Sequence, residues 1–381
     1  MKTLREIVET SPQLRAIAMH TAPGDAEPEP LGPDLWDWQS IRRVLVIRLR
    51  SIGDTVLTTP TLSALKRFLP QARVDILLED WVAPVLEGFP DVDEVLTMPR
   101  GTAADRIRAG MMLRRRRYDV VYNLHGGTTA TLLTRATGAP HRVGFAHYQY
   151  GRLHNHLAPP ALELWHRDKA HSVEQQLALP GWTGVPVTDR PPSHLAVTDQ
   201  AMTSVQAKLD AAAAGAEESL AVIHPAAAFE TKQWATEKFA RVAEDLTARG
   251  LTVIVITAPE EGKLIEELQQ NAAASIKGLN DLSLPEVTAL CSRARLFVGN
   301  DSGIAHIAAA VNTPSVVIFG SSNVVHWRPW TRAAAEVVLE EMPCQPCPGY
   351  YCAEFEKPEC IRRVPVERVA AAIDRVLRDA H

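Results

Sequence analysis

The 381-residue sequence contains no uncharged apolar run of about 18 residues, the length that a membrane-crossing helix requires, so no spanning segment is expected. No secretory leader is expected either. Glu6 and Glu9 stand where such a leader carries its apolar stretch, and the expectation is a cytoplasmic chain. There is no basic surplus: 40 lysines and arginines face 45 aspartates and glutamates, for a formal charge of −5. That balance offers no electrostatic footprint for nucleic acid, which is set aside as a partner. The G-x-G-x-x-G and Walker A signatures are absent, which removes the usual warrant for hydride transfer and nucleoside triphosphate hydrolysis. Cysteine is sparse along most of the chain. Cys291 stands alone, and the other four, Cys344, Cys347, Cys352 and Cys360, crowd toward the C-terminal end.

What is present describes a globular protein larger than one ordinary core. With 46% hydrophobic and 22% charged residues the chain has ample material to bury, and its length favours two domains with a cleft between them. Residues 1–40 read as an appended helix, with apolar positions at Leu4, Ile7, Val8, Leu14 and Ile17, followed by a flexible Pro-, Gly- and acid-rich tether from Thr21 to Asp37. From residue 41 to 180, short apolar runs at 44–49, 74–79, 93–98, 118–124 and 142–145 alternate with helical segments. Continuous apolar strands of this kind belong to a parallel sheet covered on both faces, hence a first Rossmann-like domain. The Pro-rich stretch at 180–197 breaks the periodicity, and residues 181–215 are assigned to a hinge. The alternation restarts at 219–224, 251–257, 295–299 and 315–320, a second Rossmann-like domain over 216–364 with a Cys-rich loop at 343–360. A helix over 365–381 closes the chain.

In open parallel sheets ligands bind beyond the carboxyl ends of the strands, so the loops that follow the apolar runs carry the candidate chemistry. In RLRSIGDTVLTTPTL, after the first strand, Gly53 permits a tight turn and Asp54 takes the N-cap position of the next helix. Its carboxylate either caps that helix or faces the cleft and accepts a proton from an attacking hydroxyl. Arg48 and Arg50 in the same loop either steer an acidic acceptor or lie on the surface. In GNDSGIAHIAAAVNTPSVVIFG a helix opens near Ser302 and Gly303, and its free N–H groups and positive dipole end suit a pyrophosphate. Asp301 is the anomaly in that loop, an anion beside a phosphate site; it caps the helix or holds a sugar hydroxyl. His306 is a packed core residue or a phosphate contact, and Gly320 and Ser321 end the next strand with further donors. Lys232, after the strand at 219–224, is either a solvated surface group or, in a loop facing the same cleft, an ammonium that neutralises a departing diphosphate. Glu260 and Glu261 follow the strand at 251–257, where a carboxylate binds ribose hydroxyls. The dense basic run Arg114 to Arg117, with Arg106 and Arg108 upstream, is either a solvated last helical turn or a contact for an anionic lipid or acidic acceptor.

Three segments, VIRLRSIGDTVLTTP, the KQW of Lys232 to Trp234, and VGNDSGIAHIAAAVNTPSVVIFG, resemble the heptosyltransferases of lipopolysaccharide assembly, glycosyltransferase family nine. The likeness runs from about Arg43 to the C-terminal helix. It implies an α/β protein of GT-B fold, two Rossmann-like domains facing each other across a cleft. By the same resemblance Asp54 is the catalytic base, Lys232 the lysine near the diphosphate, Glu261 the ribose-binding acid, and Asp301, Ser302, Gly303 and His306 the donor loop. The implied reaction is inverting transfer of a heptose from ADP-heptose to a lipopolysaccharide-like glycolipid, by direct displacement without a catalytic metal or other cofactor. The enzyme would be cytoplasmic, with peripheral contact at the inner leaflet. Rivals are another nucleotide sugar, a protein acceptor, a GT-B epimerase, or a non-catalytic nucleotide-sugar-binding protein.

Two positions depart from the family pattern. This chain has Ala226 in His224-Pro225-Ala226 where the family commonly has glycine, and Ser302 where it has threonine. The four crowded cysteines, spaced C-x2-C-x4-C-x7-C, leave two readings open: a structural zinc or iron staple, or reduced thiols in an ordered loop. Similar cysteines occur in family members, and a related protein-heptosylating group holds iron with them.

Overall fold

A computed structural model describes residues 27–215, 219–347 and 350–380. The helix expected over residues 3–20 lies outside them. The described end of the expected tether is docked rather than loose. Leu31 and Gly32 donate N–H groups to the Gly181 carbonyl at 2.8 and 3.1 Å, and Val187 donates to the Glu29 carbonyl at 2.9 Å. Trp38 is buried, with its indole N–H on the Thr183 carbonyl at 3.2 Å. The proline and glycine content of this stretch concealed the apolar area of Leu31, Trp36 and Trp38, all packed into the first core.

The first domain is a parallel sheet of β1 (Arg43–Ile47), β2 (Arg73–Glu79), β3 (Glu94–Met98), β4 (Val120–Asn123), β5 (His141–Phe145) and β6 (His156–Ala158), in the order 3-2-1-4-5-6. The second contains β7 (Leu220–His224), β8 (Thr252–Ile256), β9 (Lys277–Leu279), β10 (Ala294–Asn300), β11 (Ser315–Phe319) and β12 (Ala335–Leu339), in the order 12-11-10-7-8-9. Renumbered within its own half, the second sheet repeats the order of the first. The central strands are Val-, Ile- and Leu-rich and buried on both faces, as parallel sheets require. The short edge strands β6 and β9, reading HLA and KGL, carry too little periodicity to be seen in the sequence.

Helices α1 (Ile52–Val56), α2 (Thr59–Phe68), α3 (Ala103–Arg115), α4 (Thr128–Thr137) and α5 (Ser172–Trp182) cover the first sheet. Helix α6 (Asp199–Ala211) falls inside the span assigned to the hinge, which is thereby reduced to residues 183–198. Its buried Ala201, Val205 and Leu209 recur every fourth residue, and it packs on α9 (Leu284–Arg293), with the Ser204 hydroxyl donating to Glu286 at 2.6 Å. The second sheet is completed by α7 (Thr236–Ala248), α8 (Gly262–Asn271), α10 (Gly303–Ala310) and α11 (Val366–Asp379). The sequence left open whether the last helix reaches back across the hinge. Its Val369, Ala372, Ile373 and Val376 instead bury against the second domain, beside β11, β12 and α7.

The hinge is laced to both halves. Ser193 and Leu195 donate N–H groups to the Trp330 and Ala310 carbonyls, each at 3.3 Å, and the His194 N–H reaches the Thr59 hydroxyl at 3.2 Å. No helix among the described residues is long and apolar enough to cross a membrane.

Candidate functional site

Each sheet reverses its strand order beside its first strand, between β1 and β4 in one half and between β7 and β10 in the other. The chain leaves those neighbours toward opposite faces and opens a crevice at their carboxyl ends. Helix α1 leaves one crevice and α10 the other, and the two helices touch. A Cβ on Gly303 would stand 2.9 Å from the Ile52 Cβ and 3.2 Å from the Gly53 nitrogen, and one on Gly53 would meet the His306 ring at 2.7 Å. Glycine at both positions is what lets the halves approach.

Asp54 is not the N-cap of α1. Ser51 is, and Asp54 is the third helical residue of a capping box, with its Oδ2 accepting from the Ser51 hydroxyl at 3.1 Å and the Ser51 N–H at 3.4 Å. Its other oxygen pairs with the Arg48 guanidinium. Arg48 also donates to the Leu124 carbonyl at 2.5 Å, while its Nε is buried without a hydrogen-bond partner among the described residues. Burial pulls the Arg48 pKa down to about 10, still far enough above neutral to keep the cation. The Asp54 side chain remains 19% exposed, so capping leaves it reachable from the crevice.

The loop after β4 holds a residue that sequence reasoning passed over. His125 follows the apolar run YDVVYNL and precedes Gly126 and Gly127, a strand end of the same kind as those inspected. Burial lowers its pKa to about 4, with the charges of Arg48 and Arg50 acting in the same direction, and its Nδ1 lacks a hydrogen-bond partner among the described residues. Gly126 has φ of +76° and lies under the Tyr148 ring, 2.7 Å from where a Cβ would fall. Arg50 is exposed on the same rim.

Across the crevice Lys232, at the end of a short turn after β7, pairs with Asp301 at 2.8 Å. This resolves the anomaly of an anion at the donor loop. Asp301 does not cap α10, since Ser302 occupies that position, and the aspartate is balanced by a cation from another strand end. Asp301 is 5% exposed and the Lys232 side chain 20%. The Ser302 hydroxyl lies 3.2 Å from His224 Nδ1. Burial lowers both His224 and His306 to about 4, so both are neutral at neutral pH. His306 fills the space beside Gly53 as an uncharged ring. At the start of α10 the first N–H groups have no partner within the helix.

Ser321 does not present its donors to this space. The Ser321 N–H and hydroxyl reach the Thr231 carbonyl at 3.2 Å and hydroxyl at 2.9 Å, and a side chain on Gly320 would strike that same carbonyl. Their work is to seat the Lys232 turn against the end of β11. Glu261 lies after β8, the strand beyond β7, half-buried at the start of α8, with one oxygen accepting the Ala258 N–H at 3.3 Å.

The cysteine loop is tied to the same strand end, through the Cys347 N–H on the Ser321 carbonyl at 3.0 Å and Gln345 Nε2 on the Gly320 carbonyl at 2.5 Å. All four cysteines are free thiols, and burial, reinforced by the other three, pushes Cys360 up to about 11. Among the described residues no three His, Cys, Asp or Glu side chains are arranged to hold a metal ion. The short helix Glu359–Arg362 that carries Cys360 buries Ile361 in the second core.

Over residues 106–357 the chain matches the family described as glycosyltransferase family 9 (heptosyltransferase). It is 30% identical to lipopolysaccharide heptosyltransferase 3 of Escherichia coli K12, with 86% of this chain and 96% of that protein covered. Among solved structures it resembles the E. coli ADP-heptose lps heptosyltransferase II, with TM-score 0.73, 23% identity and coverage of 88% of this chain and 98% of that one. It also resembles the E. coli heptosyltransferase WaaC with ADP, with TM-score 0.68, 18% identity and coverage of 87% and 99%. These likenesses bear out the expected α/β architecture of GT-B type.

Proposed function

This chain belongs to glycosyltransferase family 9, and on that footing we propose that it is an inverting transferase moving a heptose from ADP-heptose to a lipopolysaccharide core or related surface glycan. The observation that carries the reading is the pairing of two unlike strand ends across one crevice: a reachable carboxylate, Asp54, on one side, and Lys232 with the start of α10 on the other. The names of the relatives support the donor and the acceptor class, since they include an ADP-heptose enzyme, an ADP complex and a lipopolysaccharide enzyme.

In this mechanism the ADP moiety lies on the second domain, with ribose at Glu261 and diphosphate at Ser302, Gly303 and Lys232. The acceptor hydroxyl approaches over the first domain, where Arg48 orients Asp54 and Arg50 meets acidic groups of the acceptor. The hydroxyl oxygen forms a bond to the anomeric carbon from the face opposite the diphosphate, Asp54 takes its proton, and the bond to the diphosphate breaks with its electron pair leaving on ADP. Lys232 and the helix dipole meet the charge that develops on the leaving group, so transfer proceeds without a catalytic metal. The enzyme works in the cytoplasm at the inner leaflet, where a glycolipid acceptor is presented.

ADP release and thermal stabilisation test this, with ADP-heptose, other ADP-hexoses, UDP-sugars and GDP-sugars, with and without a lipopolysaccharide core acceptor, in the presence of EDTA. Stabilisation by ADP-heptose and acceptor-dependent ADP release are expected. Stabilisation by UDP- or GDP-sugars alone would overturn the donor, and binding without turnover on any acceptor would overturn the transferase reading.

A further inference from the structure

On the first domain α3 and α4 lie side by side over one face of the sheet, with Ala109, Leu113, Ala130 and Leu133 turned inward. They pack closely: a side chain on Gly110 would stand 3.1 Å from the Ala136 Cβ. The outer surface of this pair is not the polar face that a helix covering a sheet ordinarily presents. Ile107 is 62% exposed, Met111 51% and Leu132 53%. Ile107 and Met111 stand one turn apart on α3, and Leu132 comes from the adjoining helix.

Arginine dominates the same surface. Arg115 and Arg135 are exposed and have no carboxylate within ion-pair distance among the described residues. Asp105 is the sole acid of α3 and is occupied by the helix cap at Thr102 and by Arg108. Because the whole chain carries −5, this is a local concentration of positive charge and not a share of a basic surface. Both helices start at the carboxyl edge of the sheet, the edge that also holds Arg48, Asp54 and His125. Isolated apolar side chains among cations match the two layers of a bilayer interface, anionic headgroups outside and acyl chains below.

We propose that the outer face of α3 and α4 docks this protein on an anionic phospholipid bilayer, with Ile107, Met111 and Leu132 entering the boundary between headgroups and acyl chains and the arginines meeting lipid phosphates. The proposal deepens the reading of a membrane-anchored acceptor, for it sets the acceptor side of the crevice at the lipid surface.

The test is sedimentation of the full-length protein with phosphatidylcholine vesicles, with or without phosphatidylglycerol, in the absence of donor and acceptor. Binding to the phosphatidylglycerol vesicles is expected to exceed binding to phosphatidylcholine alone by about tenfold or more and to weaken with added salt. The pairs Ile107→Ser with Met111→Ser and Arg115→Glu with Arg135→Glu should each weaken it by on the order of tenfold, with the thermal midpoint and turnover on a detergent-dispersed acceptor unchanged. Failure of the unaltered protein to bind phosphatidylglycerol vesicles, or binding by both variants as tight as its own, overturns the proposal. Turnover without vesicle binding would sink the docking and leave the transferase reading, and vesicle binding without turnover would do the reverse.

Discussion

At the switch point of the first sheet the paired charges, Arg48 and Asp54, come from one loop and are 6 residues apart; at that of the second, Lys232 and Asp301 are 69 residues apart on different loops. The first pair is local. Ser51 starts the helix, the capping box fixes the carboxylate, and Arg48 reaches it from the end of the same strand. The second exists only once β7 and β10 lie side by side, and it buries its acid more deeply, at 5% exposure against 19%. Two copies of one topology therefore hold their acids for different purposes. Asp54 stays partly exposed, as the proposed base requires, whereas Asp301 is enclosed and holds the ammonium of Lys232.

Asp54→Asn probes that difference most severely. The amide keeps an oxygen for the Ser51 cap but cannot serve as a base, so transfer should fall by about 10²–10⁴-fold while ADP affinity, measured by calorimetry, stays near that of the unaltered protein. Parallel loss of both would make Asp54 a structural acid like Asp301 and erase the contrast between the halves. Lys232→Met comes next, with a fall in turnover on the order of 10²-fold, weaker ADP binding and a lower thermal midpoint, because Asp301 is left buried without its cation. Adding Asp301→Asn should restore the midpoint and not the rate. If both recover, the second pair serves stability alone. The smallest effect is expected from Gly303→Ala, whose methyl group would press on Ile52 and the Gly53 backbone and shift α10 against α1. A change of about tenfold in kcat/KM, with the acceptor KM rising more than ADP affinity changes, would show that the halves must meet this closely. An unchanged acceptor KM would mean that the contact between α1 and α10 is incidental to transfer.

Much of the site was legible because parallel strands reveal themselves by continuous apolar runs, and their carboxyl ends are where ligands gather. That rule led to Asp54, Lys232, Glu261 and the Asp301 to His306 loop without any coordinates. Applied to the run ending at Leu124 it also leads to His125, which was overlooked because a histidine before two glycines carries no strong local signal. The same rule erred at Ser321, where the sequence shows donors at a strand end but not that Thr231, 90 residues away, consumes them. At the hinge, proline content drew attention away from the fourfold spacing of α6, and around Trp36 and Trp38 it hid a segment that packs as core.

By itself the sequence determined what depends on near neighbours: the two runs of alternating strands and helices and the loops that follow the strands, since periodicity acts over a few residues. Only the tertiary structure decided that Lys232 neutralises Asp301, that Gly53 and Gly303 bring the two halves into contact, that the last helix belongs to the second domain, and that Ile107, Met111 and Leu132 share one exposed basic face. Each of those facts joins residues far apart in the chain, and such contacts form only when the packing of whole sheets has brought their edges together.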